Sequence, residues 1–122
     1  MVEVLKRANP AVLATLRSDG APVSAAMWYL WVDGRILLSF AASRSRLAHL
    51  RRDPRVSLTV FDGFNWERHI SLQGTVTLTS DPGLVDINKL SLQYNGVIFE
   101  DRSSPRVTAW LEIDTIHVWG IR

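Results

Sequence analysis

Apolar and polar residues alternate with a period of two along much of this 122-residue chain. The clearest case is residues 71–79, in which Leu72, Val76 and Leu78 share one face and serine, glutamine and threonine side chains share the other. This alternation is typical of antiparallel strands that bury one face and expose the other. Comparable stripes run through 11–17, 55–61, 107–113 and 116–118. The pattern therefore predicts a mainly β protein.

The segment 22–32 differs because both of its faces are apolar. Trp28 and Leu30 lie on one side of the predicted strand, and Met27 and Trp31 lie on the other. A strand on the surface of a monomer would not expose an apolar face of this size. We therefore expect the core to cover one side and a partner subunit or a bound ligand to cover the other.

Helical stretches are short. Asp33-Gly34 turns the chain into a further apolar strand, 35–40. Helices are predicted at residues 2–8, Arg44–Arg52, and from Pro82 towards Tyr94. Asp53-Pro54 and Asn95-Gly96 supply the two later helix ends. Six or so strands with two or three small helices favour a closed or nearly closed β-barrel. The length fits one domain over residues 1–122.

Composition excludes several classes of protein. The chain is 47% hydrophobic and 21% charged, which argues against disorder. Its net charge of +2 gives no general reason to expect a nucleic-acid or membrane partner. The chain has no cysteine, and His69 and His117 have no acidic neighbours at ligand spacing, so we expect no metal site. No apolar run reaches the length of a membrane span, and we expect a cytoplasmic protein.

The sharpest chemical signal is the segment 39–46. Ser43 is a suitable N-cap for the helix that follows, but Arg44 and Arg46 then occupy its first turn, where acidic residues are favoured. A phosphate at this place would reverse the unfavourable electrostatics. It would accept hydrogen bonds from backbone N–H groups, the Ser39 and Ser43 hydroxyls and the guanidinium groups. The alternative interpretation is that both arginines are solvated surface cations.

The sequence contains no recognisable catalytic motif. No Ser-His-Asp arrangement, carboxylate pair or glycine-rich phosphate loop is present, so no catalytic residue is assigned. A phosphate site without an acid, a base or a nucleophile suits a bound redox cofactor, which supplies the chemistry itself. Trp28, in the middle of the doubly apolar strand, is a reasonable residue for a flat heterocycle to contact.

Three segments in order, 11–34, 43–60 and 72–79, resemble the flavin/deazaflavin oxidoreductase split-barrel family, which is pyridoxamine 5′-phosphate oxidase-like. The resemblance implies a six-stranded antiparallel split β-barrel of Greek-key type. It also implies a homodimer, with a cofactor in each of two grooves at the subunit interface. The cofactor is the deazaflavin coenzyme F-420, with FMN as the alternative.

The resemblance also implies site residues. Arg44 matches the family's phosphate-binding arginine, and Arg46 stands where the family usually has lysine. Met27 and Trp28 lie on the strand that borders the ring. The full set of cofactor-binding residues that it implies is Ser39, Ser43, Arg44, Arg46, Met27, Trp28, Ser57 and Thr59.

The expected function is an oxidoreductase that transfers a hydride to or from a small organic substrate. The chain ends at Arg122, without the C-terminal extension of pyridoxamine phosphate oxidases proper, so short members that use F-420 are the better match. An FMN-dependent pyridoxamine phosphate oxidase-like enzyme and a non-catalytic flavin- or deazaflavin-binding protein stay open. A barrel that binds single-stranded nucleic acid through the cluster Arg44–Arg55 is the least favoured alternative.

Overall fold

The computed structural model describes residues 1–121, and within them seven strands form one antiparallel sheet. The helices are α1 (Val2–Leu5), α2 (Ser45–Arg52) and α3 (Val85–Asn95). The strands are β1 (Ala11–Leu16), β2 (Pro22–Met27), β3 (Leu30–Val32), β4 (Arg35–Ala41), β5 (Arg55–Asp62), β6 (Asn65–Ser80) and β7 (Arg106–Trp119). Their order across the sheet is β2-β1-β5-β6-β7-β4-β3. The mainly β prediction is confirmed, whereas the count of six strands is wrong by one.

The predicted strand 22–32 is divided at Trp28-Tyr29, which accounts for the extra strand. β2 pairs with β1 and β3 pairs with β4, so the two halves lie at opposite edges of the sheet. Met27 and Leu30 are three residues apart and are therefore separated by at most about 11 Å. The sheet must curl until its two edges approach each other at this junction. Within residues 1–121 β2 and β3 form no ladder with each other, and full barrel closure stays a prediction.

The separate strands predicted at 107–113 and 116–118 are a single strand, β7. Gln73 pairs with Thr115 and Gly74 pairs with Ile113, so Asp114 is the additional residue of a bulge. The bulge shifts the alternation by one residue, which makes the sequence pattern look interrupted. A Cβ atom at Gly74 would overlap the carbonyl oxygen of Glu112, so this close approach of β6 and β7 requires glycine.

Helix α3 covers the second apolar face of the segment 22–32. Trp28, Leu30 and Val32 pack against a buried cluster that α3 forms with Leu37 of β4. On the other side Tyr29 is fully buried in the main core. Helix α3 thus supplies part of the cover on this face, and the expected cover by a partner or a ligand stays a prediction. The alternation of residues gave no indication of where α3 docks.

The starts of α2 and α3 differ from the predicted ones. The α2 N-cap is Arg44, in an extended conformation and with no side-chain cap, so the prediction of Ser43 as the N-cap is wrong. Helix α3 begins at Val85, later than Pro82. The reason is Asp81, a buried residue whose carboxylate accepts hydrogen bonds from the N–H groups of the first three α3 residues at 3.0–3.1 Å.

No helix within residues 1–121 is long and apolar enough to cross a membrane. In the same residues, no three histidine, cysteine, aspartate or glutamate side chains come together in a way that could hold a metal ion.

Candidate functional site

A cavity of about 720 Å³ lies beside the junction of β2 and β3. Its walls come from the chain before β1, the start of β1, the ends of β2 and β4, the start of α2, the turn between β5 and β6, one face of α3, the loop after α3 and the start of β7. The cavity has two chemically different ends. One end is cationic and lies where β4 leads into α2, and the rest is apolar and largely aromatic.

Three guanidinium groups make the cationic end. Arg44 and Arg46 come from the start of α2, and Arg106 is the first residue of β7. The pairing of β4 with β7 places Arg106 opposite Ala41, close to the α2 start. None of the three forms an ion pair with a carboxylate among residues 1–121. Three like charges, none of them in an ion pair within the described residues, favour the binding of an anion.

Arg46 carries the strongest sign of a missing partner. Its Nη1 atom is buried and has no hydrogen-bond partner within the described residues. Burial lowers the pKa of Arg46, and the positive charge of Arg44 lowers it further. An unsatisfied buried donor costs roughly 1–3 kcal/mol. An anionic acceptor in the cavity would remove this cost.

Arg106 is held between a hydroxyl group and an aromatic ring. Its Nε and Nη2 atoms donate to Ser39 Oγ at 3.2 and 3.1 Å, and its guanidinium carbon lies 5.0 Å from the centre of the Phe99 ring. Burial lowers the pKa of Arg106, and Arg44 again adds to the effect. Because Ser39 Oγ accepts both bonds, its own hydrogen remains available to an anionic acceptor.

An aromatic pair forms the wall at the other end. Trp28 and Tyr94 are stacked, with ring centres 5.3 Å apart and planes at 12°. The Tyr94 hydroxyl donates to the carbonyl oxygen of Asn9 at 2.7 Å and accepts from the Tyr29 N–H at 3.3 Å. Burial raises the pKa of Tyr94, so the phenol is neutral at physiological pH. The pair therefore presents a fixed apolar surface.

The cavity wall supplies groups for binding rather than for acid–base chemistry. Its titratable side chains within residues 1–121 are the three arginines and Tyr94, whose hydroxyl is already hydrogen-bonded. Arginine stays protonated in proteins. The arrangement suits a ligand with an anionic head and a flat apolar body. The chemistry at such a site is supplied by the ligand itself.

Five of the eight site residues predicted from the sequence line this one cavity. They are Met27, Trp28, Ser39, Arg44 and Arg46. They come from three separate segments: the end of β2 with the junction after it, β4, and the start of α2. Their convergence is consistent with the predicted site, and their role as cofactor ligands stays a prediction.

The other three predicted residues do not line this cavity. Ser43 is exposed in the turn before α2. Ser57 borders a separate groove of about 260 Å³, and its Oγ accepts a hydrogen bond from Gln73 Nε2 at 3.0 Å. Thr59 pairs with Val12 of β1 in the ladder. The predicted contacts of these residues with a cofactor stay untested.

Among the cavity residues that were not predicted, three bear on the chemistry of the site. Tyr94 lies towards the end of the third predicted helix, and Phe99 lies between that helix and the strand predicted at 107–113. Arg106 lies 60 or more residues from the other two cavity arginines, and only the pairing of β4 with β7 brings it near them. The one local signal was a cation directly after Pro105 at the start of a strand.

Comparisons with known proteins give a consistent family and fold. The family described as pyridoxamine 5′-phosphate oxidase matches residues 1–120. A solved F-420 reductase is 26% identical, with a TM-score of 0.86 over 94% of this chain and 94% of that one. A conserved hypothetical protein from Mycobacterium tuberculosis is 26% identical, with a TM-score of 0.79 over 96% of this chain and 80% of that one. A heme-binding protein from Mycobacterium smegmatis is 18% identical and shares the fold, with a TM-score of 0.70 over 96% of this chain and 51% of that one.

Proposed function

Because the chain belongs to the pyridoxamine 5′-phosphate oxidase family, we propose that its cavity binds a phosphorylated flavin or deazaflavin and that the protein is an oxidoreductase. The observation that carries this proposal is Arg46, which lines the cationic end of the cavity and whose buried Nη1 atom has no partner among the described residues. When bound, the coenzyme supplies the hydride chemistry, and the second reactant is a small organic substrate.

The cationic end fits the phosphate of such a coenzyme. Arg44 and Arg46 contribute guanidinium donors without competing carboxylates in residues 1–121, and Ser39 contributes a hydroxyl hydrogen. Hydrogen bonds between guanidinium and phosphate are shorter and stronger than neutral ones. Met27 and Trp28 line the apolar part and would hold the flat ring away from water.

We take coenzyme F-420 as the first candidate and FMN as the second. The likeness to an F-420 reductase over 94% of both chains supports the first. F-420 continues beyond its phosphate as an acidic tail, whereas FMN ends at the phosphate. Arg44 is exposed at the cavity rim, which leaves room for a continuing chain. Both coenzymes share the ring, ribityl chain and phosphate that this cavity would contact.

We also propose a homodimer, on a different surface from the one that the sequence suggested. Phe64 is 98% exposed, Trp66 70% and Trp119 66%, and they lie on the β5–β6 turn, β6 and the end of β7. Large exposed aromatic side chains in one region are typical of an interaction surface. Phe64 also lines the cavity, so a second copy on this surface would border the site.

The test is coenzyme binding by matched pairs of variants of the full chain. In the double variant Arg44→Gln/Arg46→Gln, the affinity for FMN and for F-420 is expected to fall about 100-fold, since each charged hydrogen-bond donor contributes about tenfold or more. The control is Arg51→Gln/Arg52→Gln, which removes the same charge from exposed positions of the same helix outside the cavity. Equal losses in both pairs would contradict the phosphate site.

A non-catalytic binding protein is the second candidate. The absence of aspartate, glutamate, histidine and lysine from the described cavity wall favours it. The heme-binding protein with the same fold is a reminder that this fold does not by itself imply catalysis. Reduced coenzyme should be mixed with a panel of hydride acceptors, and the oxidised FMN form should be mixed with pyridoxamine phosphate as hydride donor, with oxygen to reoxidise the flavin. Tight binding without turnover of any acceptor or of the donor would favour the binding protein.

A further inference from the structure

We propose that Arg106 is a third ligand for the anionic group and that Phe99 is the positioning residue that holds its guanidinium. This inference rests on the proposed function and extends its site to the segment between α3 and β7. It concerns two residues that the sequence analysis did not include in the predicted site.

The backbone at Arg106 is fixed from both sides. The Asp81 N–H donates to the Arg106 carbonyl oxygen at 3.0 Å, and the Ala42 N–H donates to the Pro105 carbonyl oxygen at 2.9 Å. The same residue pairs with Ala41 in the ladder of β4 and β7. The side chain of Arg106 therefore starts from a fixed point beside the turn that carries Arg44.

The guanidinium of Arg106 is oriented without a carboxylate. Ser39 Oγ accepts two of its N–H groups, and the Phe99 ring lies 5.0 Å from its central carbon. A ring that faces a guanidinium attracts it and keeps its plane fixed. Because Ser39 engages only Nε and Nη2, the donors on Nη1 remain for a ligand in the cavity.

Phe99 is itself anchored to α3. Its N–H donates to Asn88 Oδ1 at 3.0 Å, and Arg102 Nη1 donates to the same oxygen at 2.7 Å. The Phe99 ring packs against the cluster that includes Leu90. Asn88 thereby fixes the loop so that the ring supports Arg106. The position of Arg106 thus depends on a contact that joins α3 to the cationic end of the cavity.

The experiment is a double-mutant cycle on the full chain, read out as the affinity for FMN and, separately, for inorganic phosphate. Arg106→Gln is expected to weaken both affinities about tenfold. Phe99→Leu is expected to weaken them several-fold, whereas Phe99→Tyr keeps a ring under the guanidinium and retains near wild-type affinity. Phe99→Leu should add almost nothing in the Arg106→Gln background, because it acts through Arg106.

Arg35 supplies a matched control. Its guanidinium lies 4.1 Å from the centre of the Trp110 ring, outside the cavity, so Arg35→Gln removes the same charge and the same kind of contact. It should leave both affinities unchanged. If Phe99→Leu does not fold, Phe99→Met replaces it, since methionine keeps more of the volume.

The outcomes separate this inference from the proposed function. If Arg44→Gln/Arg46→Gln weakens FMN binding but Arg106→Gln does not, the third ligand is disproved and the phosphate site stands. Equal loss for Phe99→Leu and Phe99→Tyr, or the same loss for Phe99→Leu with and without Arg106, disproves the positioning role. If the wild-type chain binds neither probe and does not bind F-420, both proposals fail.

Discussion

At the scale of single residues, the site is built from donors that the protein itself does not satisfy. Arg46 lies in the first turn of α2, where its charge opposes the helix dipole, and its Nη1 atom is buried without a partner in residues 1–121. Arg44 and Arg106 add like charges nearby; burial lowers the pKa of Arg46 and of Arg106, and the charge of Arg44 lowers both further. The arrangement costs stability in the protein without a ligand and gains from an anion. A substitution that removes one of these arginines should therefore lower the affinity for an anion and raise the free energy of unfolding of the protein without ligand.

Replacing Arg46 with methionine tests this opposition. Arg46→Met places an apolar side chain beside the Phe40 ring, whose centre lies 5.5 Å from the Arg46 guanidinium carbon, and removes the unsatisfied donor. In phosphate-free buffer the free energy of unfolding is expected to rise by about 1 kcal/mol, measured by urea denaturation. FMN affinity should fall in the same variant.

The control for this substitution is Arg51→Met. Arg51 is exposed on the same helix, so its replacement should change stability by less than about 0.5 kcal/mol. A clear loss of stability in Arg46→Met would mean that the guanidinium is satisfied in the protein alone.

At the scale of elements, the bulge brings the backbones of β6 and β7 close together at Gly74. A methyl group at Gly74 would overlap the carbonyl oxygen of Glu112, and backbone cannot move aside as a flexible side chain can. The substitution Gly74→Ala is expected to lower the free energy of unfolding by about 3 kcal/mol or more. Denaturation of the purified variant measures it.

Gly83 provides the comparison for Gly74. A Cβ atom there meets only the side chain of Val85, at 3.4 Å, so Gly83→Ala should cost less than about 1 kcal/mol. Similar small effects at both positions would show that β7 can shift away from β6.

Most strands and the ends of two helices could be predicted from the sequence. Alternation located most strands, and Asp53-Pro54 and Gly96 marked the ends of α2 and α3 within one or two residues. The resemblance to the split-barrel family is confirmed over residues 1–120. Local patterns could not place α3 on the second face of segment 22–32, because docking depends on contacts between distant parts of the chain.

The same limit applies to the site. Arg44 and Arg46 were predicted because their conflict with the helix dipole is a local property. Arg106 was missed because it joins them only through the register of β4 and β7. Ser57 and Thr59 were placed on the correct strand, β5, but that strand does not border the cavity. Whether a predicted residue borders the cavity depends on how the strands pair, and the pattern of residues along the chain does not show that pairing.

At the scale of the whole molecule, the cavity lies where the curled sheet brings its edges together. Residues from β1, β2, β4, α2 and α3 meet there, so the wall forms only when the fold is complete. The exposed aromatic side chains near Phe64 extend this region to the surface. A second copy that covers them would complete the side of the cavity that now faces solvent.

Sedimentation velocity tests the proposed dimer. The wild-type chain is expected to be dimeric at micromolar concentration, and Trp66→Ser/Trp119→Ser is expected to weaken association about 100-fold, because buried tryptophans dominate interface energies. The control is Val97→Ser/Ile98→Ser, which removes a second exposed apolar pair from the loop after α3. A monomeric wild-type chain, or equal weakening by both pairs, would contradict the proposed surface.

The two-residue junction Trp28-Tyr29 also limits how this protein can be re-engineered. It is the covalent tie between the two sheet edges, and Trp28 belongs at the same time to the cavity wall. Extra residues inserted there would separate the edges and displace the wall together. The exposed turn at Ser18-Asp19-Gly20, outside the cavity lining, is the better place to graft a tag or an epitope.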